Sequence, residues 1–234
     1  VIRNNFISCR ERIARAAEHS GRDPAGVALV AVTKGVDAAR IEEAILAGVG
    51  QIGENRLQEA LSKYERLRRF AQEHGTVLGW HLVGHLQTNK AREAVRLFDV
   101  IHSVDSLRVA EAIERHAARR NKVQEVMLEV NVSGESSKYG LRVPEVAEVL
   151  SVIGTRSHIR VTGLMTVAPF VDDTERVRPV FRRLRELRDE LNGHRQAQLR
   201  LRELSMGMTD DFEVAVEEGA TCVRLGRVLF GERT

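Results

Sequence analysis

Apolar positions along the chain fall into two alternating rhythms. From 3 to 19, Phe6, Ile13, Ala14 and Ala17 recur on one helical face with Arg10 beside them, and Gly21 supplies a stop. The β-branched run VALVAVTK, 27–34, predicts a strand covered on both faces. Asp37 then caps a helix that turns Ile41, Ala44 and Ile45 inward and ends at Gly48. QIGEN, 51–55, predicts a short strand, and Leu57, Leu61, Tyr64, Leu67 and Phe70 mark the helix after it. TVLGWHLVG, 76–84, predicts a third strand with a helix near 89–97. DVIHSV, 99–104, predicts a fourth, and Asp105 or Ser106 caps a helix carrying Leu107, Ala110, Ile113 and Ala117.

The second half repeats the unit. EVMLEVNVS, 125–133, is a strand pattern, and Pro144 opens a helix with Val146, Val149, Leu150 and Ile153. HIRVTGLMTV, 158–167, leads to a long helix with Pro179 near its start and Val180, Phe181, Leu184, Leu187 and Leu191 on one face. LRLRELSMG, 199–207, is a strand whose charges leave only its end for burial, 210–218 a short helix, and TCVRLGRVLFG, 221–231, an eighth strand, with a last turn after 226. Strict alternation implies parallel strands with right-handed crossovers. Eight units predict one (β/α)8 TIM barrel over residues 1–234 with an extra N-terminal helix. An open doubly wound sheet is the rival, but the first strand ends in Thr33-Lys34-Gly35 without the glycine-rich turn that fold uses.

Composition narrows the class. The chain has 234 residues, 43% apolar, with only four prolines, which suffices for a core and excludes wholesale disorder. Lys+Arg 36 against Asp+Glu 33 leaves +3, too balanced for a nucleic-acid binder built on clustered phosphate contacts. The arginine-rich run 176–202 reads as a solvated helix face. No apolar run approaches the ~18 residues of a membrane span. The opening VIRNNFISCRERIARA is amphipathic, has no signal-peptide core and does not begin with Met, so the true start is expected to lie upstream. Cys9 and Cys222 are too few for a disulfide framework, so a reducing cytoplasm is the expected compartment.

Barrel active sites are built at the carboxyl ends of the strands. Those ends here carry Lys34, Glu54-Asn55, His81 to Gly84, His102-Ser103, Asn131, Met165-Thr166, Ser205-Met206-Gly207, and Arg224 with Gly226. Lys34 reads either as a solvated strand-end lysine or as a partly desolvated amine of lowered pKa, which forms Schiff bases with aldehydes. Ser205 to Asp210 runs from a strand into a helix start, either a plain cap and turn or an anion site. Arg224-Leu225-Gly226-Arg227 ends the eighth strand, where barrels often hold phosphate; Arg224 either pairs a structural carboxylate or faces a ligand. His81 and His85 lack a third ligand for zinc, and Cys222 reads as packing. Asn131, Ser133 and Ser137-Lys138 form a polar loop that either touches a ligand or caps a helix.

The segments AVTK (31–34), IGENRLQE (52–59), WHLVGHLQTNK (80–90), EVNVSGESSKYGL (129–141), GLMTV (163–167) and LSMGMTDDFEVAVEEGATCVRLGRVLFG (204–231) resemble, in order and spacing, the pyridoxal phosphate homeostasis protein family. More distantly, the chain is similar to the barrel domain of alanine racemase. The resemblance implies a cytosolic barrel with bound pyridoxal 5'-phosphate (PLP). It makes Lys34 the Schiff-base lysine, and Ser205 with the backbone of Met206 and Gly207 a phosphate-binding segment. Gly226 and Arg227 become a second phosphate loop, Arg224 faces the pyridine nitrogen, and Asn55 and Met165 line the ring pocket. The chain departs from the family's pattern at Gly35-Val36-Asp37, at Arg227 and at Ala168-Pro169-Phe170.

The function so implied is PLP homeostasis: a carrier that buffers or delivers the cofactor, without established turnover and with PLP-dependent apo-enzymes as candidate recipients. An arginine at the ring nitrogen weakens the cofactor as an electron sink. Racemisation needs a second acid/base on the opposite face, which alanine racemase supplies from an added β domain; the sequence stops just after its eighth strand pattern. Of the two tyrosines, Tyr64 is expected on an outer helix face, and Tyr139 is the one with a route to the barrel mouth. The alternative is a minimal racemase using Lys34 with Tyr139 or a histidine; a Schiff-base aldolase ranks third. A monomer is expected, with a dimer open.

Overall fold

In a computed structural model, residues 1–193 and 200–231 are described. Parallel strands β1 (Ala28–Val32), β2 (Gln51–Glu54), β3 (Gly79–Leu82), β4 (Val100–Val104), β5 (Gln124–Asn131), β7 (Ile159–Met165), β8 (Glu203–Ser205) and β9 (Cys222–Leu225) follow one another around a closed ring. β1 pairs with both β2 and β9, and β4 with β5, which closes the barrel. A further two-residue strand, β6 (Leu141–Arg142), pairs with the end of β5 outside the ring. The eight-stranded barrel read from the sequence is therefore present, and β6 is an addition with too few residues to leave a periodic signal.

Around the ring lie α2 (Ala38–Leu46), α3 (Leu57–Glu73), α4 (Ala91–Leu97), α5 (Leu107–Ala118), α6 (Val146–Ile153), α7 (Arg178–Asn192) and α8 (Phe212–Glu217). Their starts follow local chemistry. Asp37 Oδ1 accepts from the Arg40 N–H at 3.0 Å, and Ser106 Oγ accepts from the Val109 N–H. Each helix buries one stripe, such as Ile41, Ala44 and Ile45 in α2 or Phe181, Leu184 and Leu187 in α7. Each large side chain so removed from water contributes about 1.5–3 kcal/mol. The arginines of α7 are surface residues, but several are clasped: Arg178, Arg182 and Arg185 all reach the buried carboxylate of Glu218.

Helix α1 (Ile2–His19) packs across α8 and the last helix, α9 (Arg227–Phe230). Arg12 forms a fork on Glu213 at 3.0 and 2.7 Å and lies over the Phe212 ring, while Asn5 donates to the Leu229 carbonyl. The eighth strand is shorter than 221–231: it stops at Leu225, and residues 227–230 turn into α9. Leu229 and Phe230 are buried as helix residues, and a short apolar run carries no period to distinguish the two. The seventh strand likewise occupies only 203–205 of 199–207; of that stretch, residue 199 lies outside the described residues. Tyr64 is not on an outer face: its ring packs 4.8 Å from Trp80.

Candidate functional site

At the carboxyl ends of the strands a cavity of about 420 Å³ opens, within the ordinary range for small-molecule sites. Lys34, Asn55, Arg224, Gly226 and Arg227 line it, with Val83, Phe170, Met208, Thr209 and Asp210. The sequence had suggested one further group here, Met165, Ser205, Met206 and Gly207; these four residues are buried and do not line the cavity.

Lys34 is half-buried in the turn after β1, and both neighbours are fixed. Lys63, on α3, donates to the Thr33 carbonyl at 2.8 Å and to Glu54 Oε1 at 2.9 Å. Thr33 Oγ1 donates to the same carboxylate oxygen at 2.6 Å. Beyond the lysine, the Gly35 N–H donates to Glu59 Oε2 at 2.8 Å. Glu54 is fully buried, and burial pushes its pKa up against the pull of Thr33 and Lys63.

Asn55 stands at the end of β2. Its Oδ1 is buried without a hydrogen-bond partner, in a wall of the cavity. Such an atom costs free energy until something donates to it. Gly84 holds Asn55 in place by its lack of a side chain, because a Cβ there would fall onto the Asn55 backbone.

Arg224 enters from β9 and is 5% exposed. Nη1 donates to Ser205 Oγ at 2.6 Å and Nη2 to the Thr166 carbonyl at 2.8 Å. The remaining N–H donors of its five are on the group that lines the cavity. Burial lowers its pKa, opposed by Cys222, Glu129 and Asp211. Glu129, also buried, is pushed up to about 7 by burial and by Asp105, with Arg224 pulling the other way.

Ser205 therefore spends its hydroxyl inside the barrel, on Arg224 and on His102 Nδ1 at 2.9 Å. The chain then turns at Gly207, whose φ of +93° suits glycine and where a Cβ would come within 2.6 Å of Ala215 Cβ. That turn carries Met208, Thr209 and Asp210 to the cavity. Thr209 Oγ1 accepts from the Val228 N–H at 3.5 Å, and Arg227 pairs with Asp210 at 2.6 Å, so the loops after β8 and β9 meet at the rim. Thr209 lines the cavity without having been singled out within the 205–210 segment; the signal for it is the hydroxyl two positions past Gly207.

The two histidines four apart separate. His81 is buried and bonds His102, whereas exposed His85 stacks on Tyr139 with centroids 3.9 Å apart and pairs with Asp105. Tyr139 and Lys138 line a separate rim groove with His85. Asn131 is spent locally, on the Glu135 carbonyl and the Gly134 N–H. Cys222 is buried and its thiol is pushed up to about 11 by burial. Among the described residues no group of three or more His, Cys, Asp or Glu could hold a metal ion, and no helix is long and apolar enough to cross a membrane.

Barrel and site together define the class: residues 7–234 match the family model for the alanine racemase N-terminal domain. The chain is 44% identical over 223 residues to the pyridoxal phosphate homeostasis protein of Aquifex aeolicus, covering 95% of this chain and 94% of that one. It is 40% identical to that of Pseudomonas aeruginosa over 232 residues, covering 99% and 96%. It belongs to the pyridoxal phosphate homeostasis protein family. Among solved structures it is similar to PipY of Synechococcus elongatus with PLP bound (TM-score 0.84, 36% identity, covering 99% of this chain and 100% of that one). Alanine racemase of Clostridium difficile shares the fold at 15% identity (TM-score 0.72, covering 99% of this chain and 56% of that one).

Proposed function

We propose that this chain, acting as one unit over 1–234, holds PLP as a Schiff base on Lys34 and buffers or delivers it without turning over amino acids. The observation that carries the reading is the cavity that Lys34, Asn55 with its unpartnered Oδ1, and Arg224 line together. A pyridoxal ring suits that set. Its aldehyde meets an amine, its hydroxyl a lone acceptor, and its ring nitrogen a guanidinium. The phosphate falls to the rim, on Thr209, the 226–228 backbone and Arg227, as barrels bind phosphate after their last two strands. Ser205, Met206 and Gly207 support that rim from beneath, and Met165 packs inside the barrel behind the ring. The PLP-bound relative PipY supports the same ligand.

The chemistry is reversible condensation. Lys34 would hold the aldehyde of bound PLP through its amine, with loss of one water, and addition of one water would release the cofactor. A guanidinium at the ring nitrogen disfavours its protonation, which weakens the electron sink that racemases and decarboxylases need. The racemase alternative requires a second acid/base at the ring. Among the described residues neither tyrosine lines the cavity: Tyr64 packs on Trp80 and Tyr139 on His85. Recipients would be PLP-dependent apo-enzymes, and the working unit a monomer.

The test is a transfer assay. Protein loaded with PLP should restore activity to an apo-enzyme faster than Lys34→Ala protein mixed with the same total PLP. Sustained racemisation of free amino acids above the Lys34→Ala control would instead favour the enzyme reading.

A further inference from the structure

Behind Arg224 a single file of polar side chains crosses the barrel. Arg224 Nη1 meets Ser205 Oγ at 2.6 Å, Ser205 Oγ meets His102 Nδ1 at 2.9 Å, and His102 Nε2 meets His81 Nδ1 at 2.8 Å. All four residues are buried. Arg224 borders the cavity at the strand ends, and His81 borders a second cavity, of about 550 Å³, at the opposite end of the barrel. The file therefore spans the interior from one mouth to the other.

Its proton order follows from electrostatics. Arginine only donates, so Ser205 Oγ accepts from Arg224. A buried cation turns neighbouring dipoles so that their lone pairs face it. The Ser205 O–H then points to His102 Nδ1. His102 carries its proton on Nε2 and donates to His81 Nδ1, and His81 carries its proton on Nε2, toward the far cavity. Both imidazoles are neutral: burial lowers His81 to about 4, and His102 lies well below the usual histidine value through burial and the nearby His81 and Arg224. The Cys222 thiol beside Ser205 stays protonated, pushed up to about 11 by burial, and is a poor acceptor for the Ser205 proton.

The geometry points to His102, with His81 behind it, as positioning residues for Arg224: an oriented neutral chain that solvates the guanidinium from inside the barrel and aims its remaining donors at the cofactor ring. The inference rests on the reading of Arg224 given above. Its physical content is that dipoles replace a carboxylate. No carboxylate lies within ion-pairing distance of Arg224 among the described residues, although buried charges are ordinarily paired. An ion pair would neutralise the charge offered to the ring, whereas a file of dipoles stabilises that charge and leaves it unspent.

Imidazole ¹⁵N NMR on the cofactor-free protein at pH 7 tests the chain itself. The expected result is the Nε2–H tautomer on both His102 and His81. Nδ1–H tautomers, or a cationic ring, would overturn the proton order. The second arm adds PLP or pyridoxal, which lacks the phosphate, to wild type, His102→Leu, His102→Gln and Ser205→Ala. His102→Leu should weaken both ligands about tenfold and move the visible band of the bound cofactor. His102→Gln keeps an acceptor and a donor and should recover most of the loss. If His102→Leu does not fold, Ser205→Ala, which breaks the same file by one atom, must show the equal loss for both ligands. Unchanged affinity and band in a folded variant would overturn the positioning role. Absence of any band in wild type would instead refute the cofactor reading, and the tautomers would still decide the chain.

Discussion

Lys63 Nζ lies 2.8 Å from the carbonyl oxygen of Thr33, the residue before Lys34. One ammonium on α3 thus fixes the turn that presents another. Lys63 also holds Glu54, which is fully buried, at 2.9 Å, so its removal leaves an unpaired carboxyl in the barrel wall. Breaking a buried pair from one side ordinarily costs about 3–5 kcal/mol. Lys63→Met should therefore lower stability to urea by roughly 3 kcal/mol and slow cofactor uptake in whatever fraction stays folded. Glu54→Gln in the Lys63→Met background should restore part of the stability, because no charge is then stranded. An undiminished denaturation midpoint in Lys63→Met would show that the pair does not anchor the turn.

Glu129 supplies a pH signature. Its proton is held more tightly in the fold, at about 7 against 4.5, because burial and Asp105 disfavour the carboxylate. A raised folded pKa means that the contribution is fully present below about pH 4.5 and is lost as pH rises through about 7. Each pKa unit is worth ~1.4 kcal/mol, so the loss is at most ~3.5 kcal/mol. Glu129→Gln should match wild type near pH 4.5 and exceed it in stability at pH 8. Parallel stability curves for the two proteins across that range would contradict the assignment.

Thr209 and Ser205 are separable by ligand. Thr209 borders the cavity beside Arg227, whereas Ser205 faces the barrel interior. Thr209→Ala should weaken PLP several-fold while leaving pyridoxal, which has no phosphate, unchanged. Ser205→Ala should weaken both alike. Phosphate-selective loss in Ser205→Ala, with none in Thr209→Ala, would return the phosphate to the residue first suggested by the sequence.

What the sequence reveals and what it hides divide along physical lines. The alternation of β-branched runs with helical stripes yields eight strands, because each element buries a face whose period is local. Lys34, Asn55, Arg224, Gly226 and Arg227 could be grouped because strand ends in a barrel share one mouth. Ser205 lies apart from this group for a geometric reason. As the last residue of β8 it keeps the inward register of its partners Met165 and Cys222, and only after Gly207 does the chain reach the rim. The His81–His102 bond joins residues 21 apart on neighbouring strands, β3 and β4, a pairing that depends on register and leaves no spacing to read. Helix α9 is legible only as the last turn after 226, inside a run also read as strand, because four apolar-rich residues serve equally well as strand or helix.

The most direct measurement is the visible absorption spectrum of purified protein with added PLP, for wild type and Lys34→Ala. A band of the lysine-bound cofactor in wild type, removed by borohydride reduction and absent in Lys34→Ala, is the expected result. No band in wild type, or an equal band in Lys34→Ala, would contradict the assignment of Lys34 as the residue that holds the cofactor.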